Sequence, residues 1–389
     1  MNRIVCLILY LLCSSPLLAN TENKPPLKWQ EWSAETFEKA KQENKLILLD
    51  LDAVWCHWRH VMDATTYTDP EVLKELNTNY IPVRVDHAAN PELADRYEDY
   101  GWPATIIFSG DGTEIIKRRG YIRPDLMKWM LQAVAENPDP AAHENKDRTV
   151  SPSAQSGLSN EQSELLEMRY QFIYDAESGG WGRVHKFLHN DSIEYAMTQA
   201  MQGSKAHEIM ARQTLWATQQ LIDPEWGGIY QYSDSVDWKS LHFEKIMSSQ
   251  TDALRLYAMG YGLWGKNEYL ESALEILKFL EEKLSSPEGV FYTSQDADLN
   301  ADIDGHHYFA LNDEKCLKLG IPPVDKNIYA RENAWAASAL LSLYGVTTDK
   351  KYLDKAIHII SVPIESSTGK RISPETSPLR PHATIPPSF

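Results

Sequence analysis

A short apolar run that ends in a cysteine-bearing motif constrains the fold of this chain most. Leu46–Leu51 has the length and composition of a buried strand, and W-C-H-W-R-H follows at Trp55–His60. A helix is expected to begin at or near Cys56. A cysteine that leaves a strand and opens a helix meets the partial positive charge of the first backbone N–H groups. The motif therefore predicts an α/β domain with a reactive thiol at a strand-to-helix junction.

The flanking sequence predicts the rest of this α/β domain, residues 28–136. The D-G pair at residues 111–112 is a turn signal between two strands. The predicted helices are Ser33–Glu43, one that starts at Asp69–Pro70 and reaches Leu76, and Pro124–Ala135; the further strands are Ile81–Asp86, Ala104–Phe108 and Thr113–Arg118.

Residues 137–158 are polar, rich in Pro and Ser and without periodicity, which is typical of a linker between domains. An all-α domain is predicted at 159–362, and the Pro-rich residues 363–389 are expected to be disordered. The predicted helices are Ser159–Phe172, Ser192–Met201, Ala206–Leu221, Lys245–Trp264, Tyr269–Leu284, Asn333–Tyr344 and Tyr352–Ile360.

A similar loop sequence recurs three times between these helices. It reads D-A-E-S-G-G-W-G from Asp175, D-P-E-W-G-G-I-Y from Asp223 and S-P-E-G-V-F-Y from Ser286. Helix pairs joined by such loops favour an array of helical hairpins. The alternative is an irregular helical bundle in which Gly merely ends helices.

Charge and the N-terminal segment limit the partners and the location. The net charge is -17 and the pI is near 5.2, so nucleic acid and anionic membranes would be repelled. Residues 1–19 have the layout of a secretory signal, with an apolar run too short for a membrane span. We expect a secreted or periplasmic protein with no membrane contact after cleavage; an uncleaved anchor is the alternative.

The neighbours of Cys56 favour the thiolate. His57, Arg59 and His60 are potential cations within one helical turn, and Arg59 at i+3 is expected on nearly the same face. The catalytic set is completed by Asp50, an acid in the apolar strand that is expected to relay a proton, and by Pro103, expected in cis beside the cysteine. The tryptophans nearest the thiol are predicted to contact substrate: Trp55, Trp58 and Trp102.

These motifs resemble the thioredoxin superfamily over roughly residues 27–137. Asp50 falls on its buried acid, Trp55-Cys56 on its active-site start and Pro103 on its cis proline. C-H-W-R-H-V-M, D-P-E-V-L-K-E-L-N and V-R-V-D look like the DUF255 thioredoxin proteins related to spermatogenesis-associated protein 20. That family joins a thioredoxin-like domain to an α/α toroid, similar to the six-hairpin glycosidase and N-acylglucosamine 2-epimerase folds.

The resemblance extends to the second half of the chain through K-F at 186–187, H-F-E-K at 242–245 and Q-D-A-D at 295–298. It implies a thioredoxin-like domain followed by a partial toroid, because only seven or eight helices fit where a closed ring has twelve. The family motif is C-H-W-C-H, so Arg59 replaces the second cysteine.

Without that second thiol, a mixed disulfide on Cys56 is released only by an external thiol or by Cys316. We therefore expect exchange with protein thiols or an external reductant, and no cofactor. An inert Cys56 in a scaffold or chaperone is one alternative. A metal site of Cys56, His57 and His60 is disfavoured because no second ligand cluster is evident, so no metal is predicted. A bridge from Cys56 to Cys316 stays open.

A second functional class comes from the helical half. Aromatic side chains can stack on sugar rings while carboxylates bind hydroxyls. His242 with Glu244, and Asp296 with Asp298, are candidate acid–base pairs for carbohydrate binding or epimerisation. The alternative is that these acids cap helices and the aromatics fill the core.

Overall fold

The computed structural model describes residues 27–143, 157–300, 302–365 and 371–372. The predicted signal, most of the linker and most of the tail lie outside these residues. The first domain contains α1 (Ala34–Glu43), β1 (Leu46–Asp52), α2 (His57–Ala64), α3 (Pro70–Asn79), β2 (Tyr80–Asp86), α4 (Pro91–Tyr97), a 3₁₀ turn (Glu98–Tyr100), β3 (Ala104–Phe108), β4 (Glu114–Arg119) and α5 (Pro124–Glu136), followed by the short α6 (Pro140–His143).

A four-stranded sheet of order β2-β1-β3-β4 forms the centre of this domain. β1 pairs in parallel with β2 and antiparallel with β3, and β3 pairs antiparallel with β4. Alternate residues of β1 enter different cores: Leu48 packs on one face of the sheet, and Ile47 and Leu49 on the other. The predicted strands and the α/β fold class are confirmed. The α4 helix was not predicted.

The second domain is mainly helical. Its elements are α7 (Asn160–Ile173), β5 (Lys186–Phe187), α8 (Asn190–Met201), α9 (Lys205–Thr218), a 3₁₀ turn (Gln219–Leu221), β6 (Tyr232–Ser233), β7 (Leu241–His242), β8 (Lys245–Ile246), α10 (Met247–Trp264), α11 (Asn267–Lys283), β9 (Ser294–Gln295), α12 (Gly305–Phe309), α13 (Asp313–Leu319), β10 (Val324–Asp325), α14 (Ala330–Thr347), α15 (Lys350–Ser361), β11 (Ile364–Glu365) and β12 (Arg371–Ile372).

The long helices pair as hairpins, α8 with α9, α10 with α11 and α14 with α15, and α10 packs against both α8 and α14. This order places α8, α10 and α14 side by side, as on the inner wall of a toroid. The thioredoxin-like plus helical fold class is confirmed. The short helices α12 and α13 were not predicted.

A buried lysine closes two of the recurrent loops. In the first, Lys186 Nζ donates to Asp175 Oδ2 at 2.9 Å and to the Gly179 carbonyl at 2.8 Å. In the second, Lys245 Nζ donates to Asp223 Oδ2 at 2.6 Å and to the Gly227 carbonyl at 2.9 Å. Both lysine side chains are fully buried. The loops are therefore equivalent parts of a structural repeat.

Near the C-terminus, β11 and β12 pair antiparallel within the segment expected to be disordered. The disorder expected for residues 363–389 stays a prediction. Among the described residues, none of the helices is long and apolar enough to cross a membrane.

Candidate active site between the two domains

The thiol of Cys56 lies at the start of α2, in a layer between the domains. Cys56 is the N-cap residue of this helix and is 4% exposed. Its Sγ donates to the carbonyl of Trp102 at 3.5 Å, and the Trp102–Pro103 peptide bond is cis. The structure thus brings Cys56, Trp102 and Pro103 together as the sequence predicts.

The helical domain covers this thiol. Ile246 packs against the cluster formed by Ala53, Trp55 and Cys56. The neighbouring Glu244 accepts a hydrogen bond from the His57 backbone N–H through Oε1 at 3.3 Å. Glu244 is 2% exposed, and its Oε2 is buried without a hydrogen-bond partner among the described residues. The surroundings of Cys56 are therefore formed by both the thioredoxin-like and the helical domain.

Burial makes Cys56 a protonated thiol, which corrects the predicted thiolate. Loss of hydration is the main cause that raises the pKa of Cys56 to about 12, and the negative charges of Glu244 and Asp52 act in the same direction. Hydrogen bonds from the backbone at Arg59 and Trp58 lower the pKa but do not offset burial. Cys56 does lie at a helix N-terminus, but the helix lowers the pKa of the thiol less than burial raises it.

The predicted role of Arg59 is also wrong. Its Nε lies 2.6 Å from Asp52 Oδ2, so the guanidinium neutralises a carboxylate that is 2% exposed rather than the thiol. Burial, followed by the charge of Asp50, nevertheless raises the pKa of Asp52 to about 7. Arg59 is better described as a partner of the strand acids.

Asp50 is engaged by Arg84 of β2. Arg84 donates to Asp50 Oδ2 from Nε at 2.9 Å, and its Nη2 lies 2.6 Å from Asp63 Oδ1. Burial raises the pKa of Asp50 although Arg84 opposes this. The proton-relay role stays a prediction; of the two acids of β1, Asp52 is the one whose charge acts on the pKa of Cys56, and its effect is smaller than that of Glu244.

Two histidines of α2 meet two aspartates of the helical domain. His57 Nδ1 lies 2.9 Å from Asp298 Oδ2, and His60 lies 3.5 Å from Asp296 and 3.7 Å from Asp298. Hydrogen bonding to Asp298 raises the pKa of both histidines. Burial raises the pKa of Asp296 to about 6, whereas hydrogen bonds from His57 and His60 hold that of Asp298 well below its usual range.

Pairing of β8 with β9 explains this convergence. Lys245 lies opposite Gln295 in the register, so Glu244 and Asp296 continue from facing strand ends. His242 Nδ1 is 3.9 Å from Glu244 Oε2, and its Nε2 is 2.7 Å from Asp234 Oδ2. The four residues proposed for carbohydrate chemistry are thus brought together, but against the thioredoxin-like domain.

A cavity of about 250 Å³ opens beside this cluster. It is lined by residues of both domains, including His57, Trp58, His242, Phe243, Glu244 and Asp298. Of the predicted substrate-contacting tryptophans, Trp58 is 37% exposed and stacks on Tyr121, whereas Trp55 is buried and Trp102 is half-buried beside His87.

Cys316 lies in another part of the protein. It is buried in a cluster with Trp226 and Tyr308, and its sulfur donates to the Tyr308 and Leu311 carbonyls. Both cysteines in the described part of the chain are free. The bridge left open by the sequence is therefore absent in this state.

Sequence reasoning missed Asp52, Arg84 and Ile246. The spacing of Asp52 two residues after Asp50 was a signal, since both side chains then point to one face of β1. Nothing in the sequence indicated the role of Ile246, because apolar residues are common at the ends of short strands.

The family resemblance indicated by the motifs is confirmed. Residues 10–147 match the family model Thioredox_DsbH, described as protein of unknown function DUF255. The chain is 27% identical to mouse spermatogenesis-associated protein 20 over 310 residues, which cover 70% of this chain and 39% of that protein. The chain therefore spans less than half the length of this relative.

Two further similarities concern single domains. A thiol:disulfide interchange protein DsbD of Campylobacter jejuni is 31% identical over 97 residues, or 23% of this chain and 17% of that protein. A sugar epimerase from a ruminal bacterium has a TM-score of 0.40 and 18% identity, covering 50% of this chain and 51% of that one. A likeness this low gives no indication of a substrate.

Proposed function

We propose that this chain, whose N-terminal domain matches the DUF255 thioredoxin family, exchanges disulfides through a single thiol, that of Cys56. The observation that carries the proposal is the position of the sulfur, at the first turn of α2 and 3.5 Å from the Trp102 carbonyl. The similarity of 97 residues to a thiol:disulfide interchange protein supports the general class. The signal-like N-terminus would deliver the protein to an oxidising compartment, secreted or periplasmic, where disulfide substrates occur.

The reaction needs a disulfide and an external thiol. Cys56 gives its proton to the nearby Glu244 carboxylate, and the thiolate sulfur attacks one sulfur of the substrate disulfide. The substrate S–S bond breaks, the departing thiolate takes up a proton, and Cys56 is left in a mixed disulfide. An external thiol then attacks this disulfide and restores Cys56, because Arg59 stands where a local second thiol would act.

In the closed arrangement described above, a protein disulfide has no path to the sulfur. Cys56 is 4% exposed, and Ile246 packs against the cluster that contains it. The exchange step therefore requires Ile246 to move away from the sulfur, while Glu244 stays close enough to take its proton. Burial until that moment protects a lone cysteine from oxidation and from unselective pairing.

Incubation of the reduced chain with oxidised glutathione, followed by peptide mapping, tests the proposal. The expected adduct is on Cys56 and is removed by added thiol; Cys316→Ser should leave it unchanged and Cys56→Ser should abolish it. An adduct confined to Cys316, or none at any disulfide concentration, would refute thiol exchange. A stable adduct with protein clients that external thiol does not release would instead favour the scaffold or chaperone alternative.

Carbohydrate binding is a second candidate because the interdomain cavity combines aromatic rings with carboxylates, the usual lining of a sugar site. Sugars of the right class should raise the melting temperature, and His242→Ala should remove that effect. No shift across a broad sugar panel would count against this function.

A further inference from the structure

Three side chains from the two domains form a cluster that no part of the thiol chemistry uses. His60 of α2 meets Asp296 and Asp298, and one ligand atom of each lies within 4.8 Å of the others. We propose that His60, Asp296 and Asp298 bind one zinc-type divalent cation across the domain interface. This set differs from the Cys56-containing one disfavoured on sequence grounds, because two of its members lie in the helical domain.

The spacing suits ligands of one ion. Zinc ligands lie about 2.0 to 2.2 Å from the metal in a tetrahedron, which puts neighbouring ligand atoms about 3.4 Å apart. His60 Nε2 and Asp296 Oδ2 are 3.5 Å apart. That separation is long for a direct hydrogen bond but matches two ligands of a shared ion. A ligand atom of Asp298 lies within 4.8 Å of those of the other two residues.

Both carboxylates are already oriented for this role. Asp296 Oδ1 accepts the Asp298 backbone N–H at 3.1 Å, and Asp298 Oδ1 accepts the Gly305 backbone N–H at 2.9 Å. In each case the other oxygen, Oδ2, is the one that faces the His60 ring: that of Asp296 lies 3.5 Å from Nε2, and that of Asp298 lies 3.7 Å from Nδ1. His57 Nδ1 lies 2.9 Å from the same Oδ2 of Asp298 and so also holds this carboxylate in place. Such outer contacts fix the direction of metal ligands in proteins.

Charge provides an independent argument. The side chains of Asp296 and Asp298 are 9% and 14% exposed, and Glu244 beside them has a buried oxygen without a hydrogen-bond partner in the described part of the chain. The carboxylates of Glu244, Asp296 and Asp298 share this half-buried space with the imidazoles of His57 and His60. A divalent cation offsets most of that charge, and the 37% exposure of His60 leaves a route from solvent.

The ligand types indicate which ion binds. A mixed imidazole and carboxylate set suits zinc and its transition-metal neighbours, whereas magnesium and calcium prefer oxygen ligands alone. Cys56 is not needed, since its sulfur is directed to the Trp102 carbonyl. The proposal therefore stands apart from thiol exchange, and either can fail without the other.

Zinc titration of the chelator-treated full chain, in competition with a chromophoric chelator, provides the test. The wild type should bind one equivalent, and His60→Gln and Asp296→Asn should each weaken binding at least about 100-fold. Cys56→Ser should bind as the wild type does. So should His307→Gln, a matched control whose histidine pairs with Asp304 at 2.9 Å and is 79% exposed.

If a ligand variant fails to fold, X-ray absorption spectroscopy of the zinc-loaded wild type still tests the proposed site. One imidazole with oxygen ligands supports the site, whereas a sulfur ligand or water oxygens alone refute it. Absence of stoichiometric binding, undiminished binding by folded His60→Gln and Asp296→Asn, or loss of binding in His307→Gln also refutes it. The first of these outcomes would leave His60 as a member of an ion-pair network only.

Discussion

Alkylation of Cys56 should be slow in the native protein and should accelerate when Ile246 is shortened. Burial raises the pKa of Cys56 from 9.0 to about 12. A difference of about 3 pKa units lowers the thiolate fraction near neutral pH roughly 1,000-fold relative to an ordinary thiol. Ile246→Ala admits water to the sulfur and removes part of the desolvation, so the rate should rise roughly 10- to 100-fold.

Iodoacetamide labelling followed by peptide mapping measures this rate for Cys56 alone. Because the thiolate is the reactive form and its pKa is raised, the rate should increase about tenfold per pH unit from pH 7 to pH 10 without a plateau. Ile360→Ala, at a 60% exposed position of α15, is the matched control and should leave the rate unchanged.

A rate that levels off below pH 9 would refute the reasoning, because it would reveal a thiolate with an ordinary or lowered pKa. Equal rates for wild type and Ile246→Ala would show that the helical domain does not shield the sulfur. A comparable acceleration in Ile360→Ala would mean that faster alkylation results from general destabilisation of the protein and not from exposure of the sulfur.

Two further predictions concern buried charges. Lys245→Met should lower the free energy of unfolding by about 3 to 5 kcal/mol, because Asp223 is left 3% exposed without its cation. Lys186→Met should cost about 1 to 3 kcal/mol, since its aspartate partner is 18% exposed; equal losses in urea denaturation would contradict this ranking. Arg59→Cys should lower the free energy of unfolding by about 1 to 3 kcal/mol by removing an ion pair from Asp52, and Asp52→Asn should recover part of it. A cysteine variant as stable as the wild type by thermal melting would show that Arg59 has no such role.

The sequence was sufficient to predict those helices and strands whose positions depend on the local hydrophobic pattern and on capping residues. Ser33 accepts the Thr36 N–H and Asp69 those of Glu71 and Val72, so helices begin where such residues predict. The helix Pro91–Tyr97 was missed because its sequence P-E-L-A-D-R-Y is too short for a clear period.

The candidate site was predictable in part. The neighbourhood of Cys56, Trp102 and Pro103 followed from the motifs. The ionisation of Cys56 did not, because it depends on Ile246 and Glu244, which are almost 190 residues away in the chain and reach the thiol only through domain packing. The pairing of Arg59 with Asp52 could not be predicted from the sequence either. Several carboxylates compete for one guanidinium, and the folded geometry determines which of them it contacts.

The lysine that closes each recurrent loop has a consequence for how the helical domain changes in evolution. Lys186 and Lys245 each bind an aspartate of their own repeat, so a change in one lysine–aspartate pair requires no matching change in the other pair. The third loop illustrates this independence. Ser286 stands at the aspartate position, and His358 of α15 contacts the Glu288 carbonyl at 2.7 Å. The lysine that closes a loop can thus be lost in one repeat while the other repeats keep theirs.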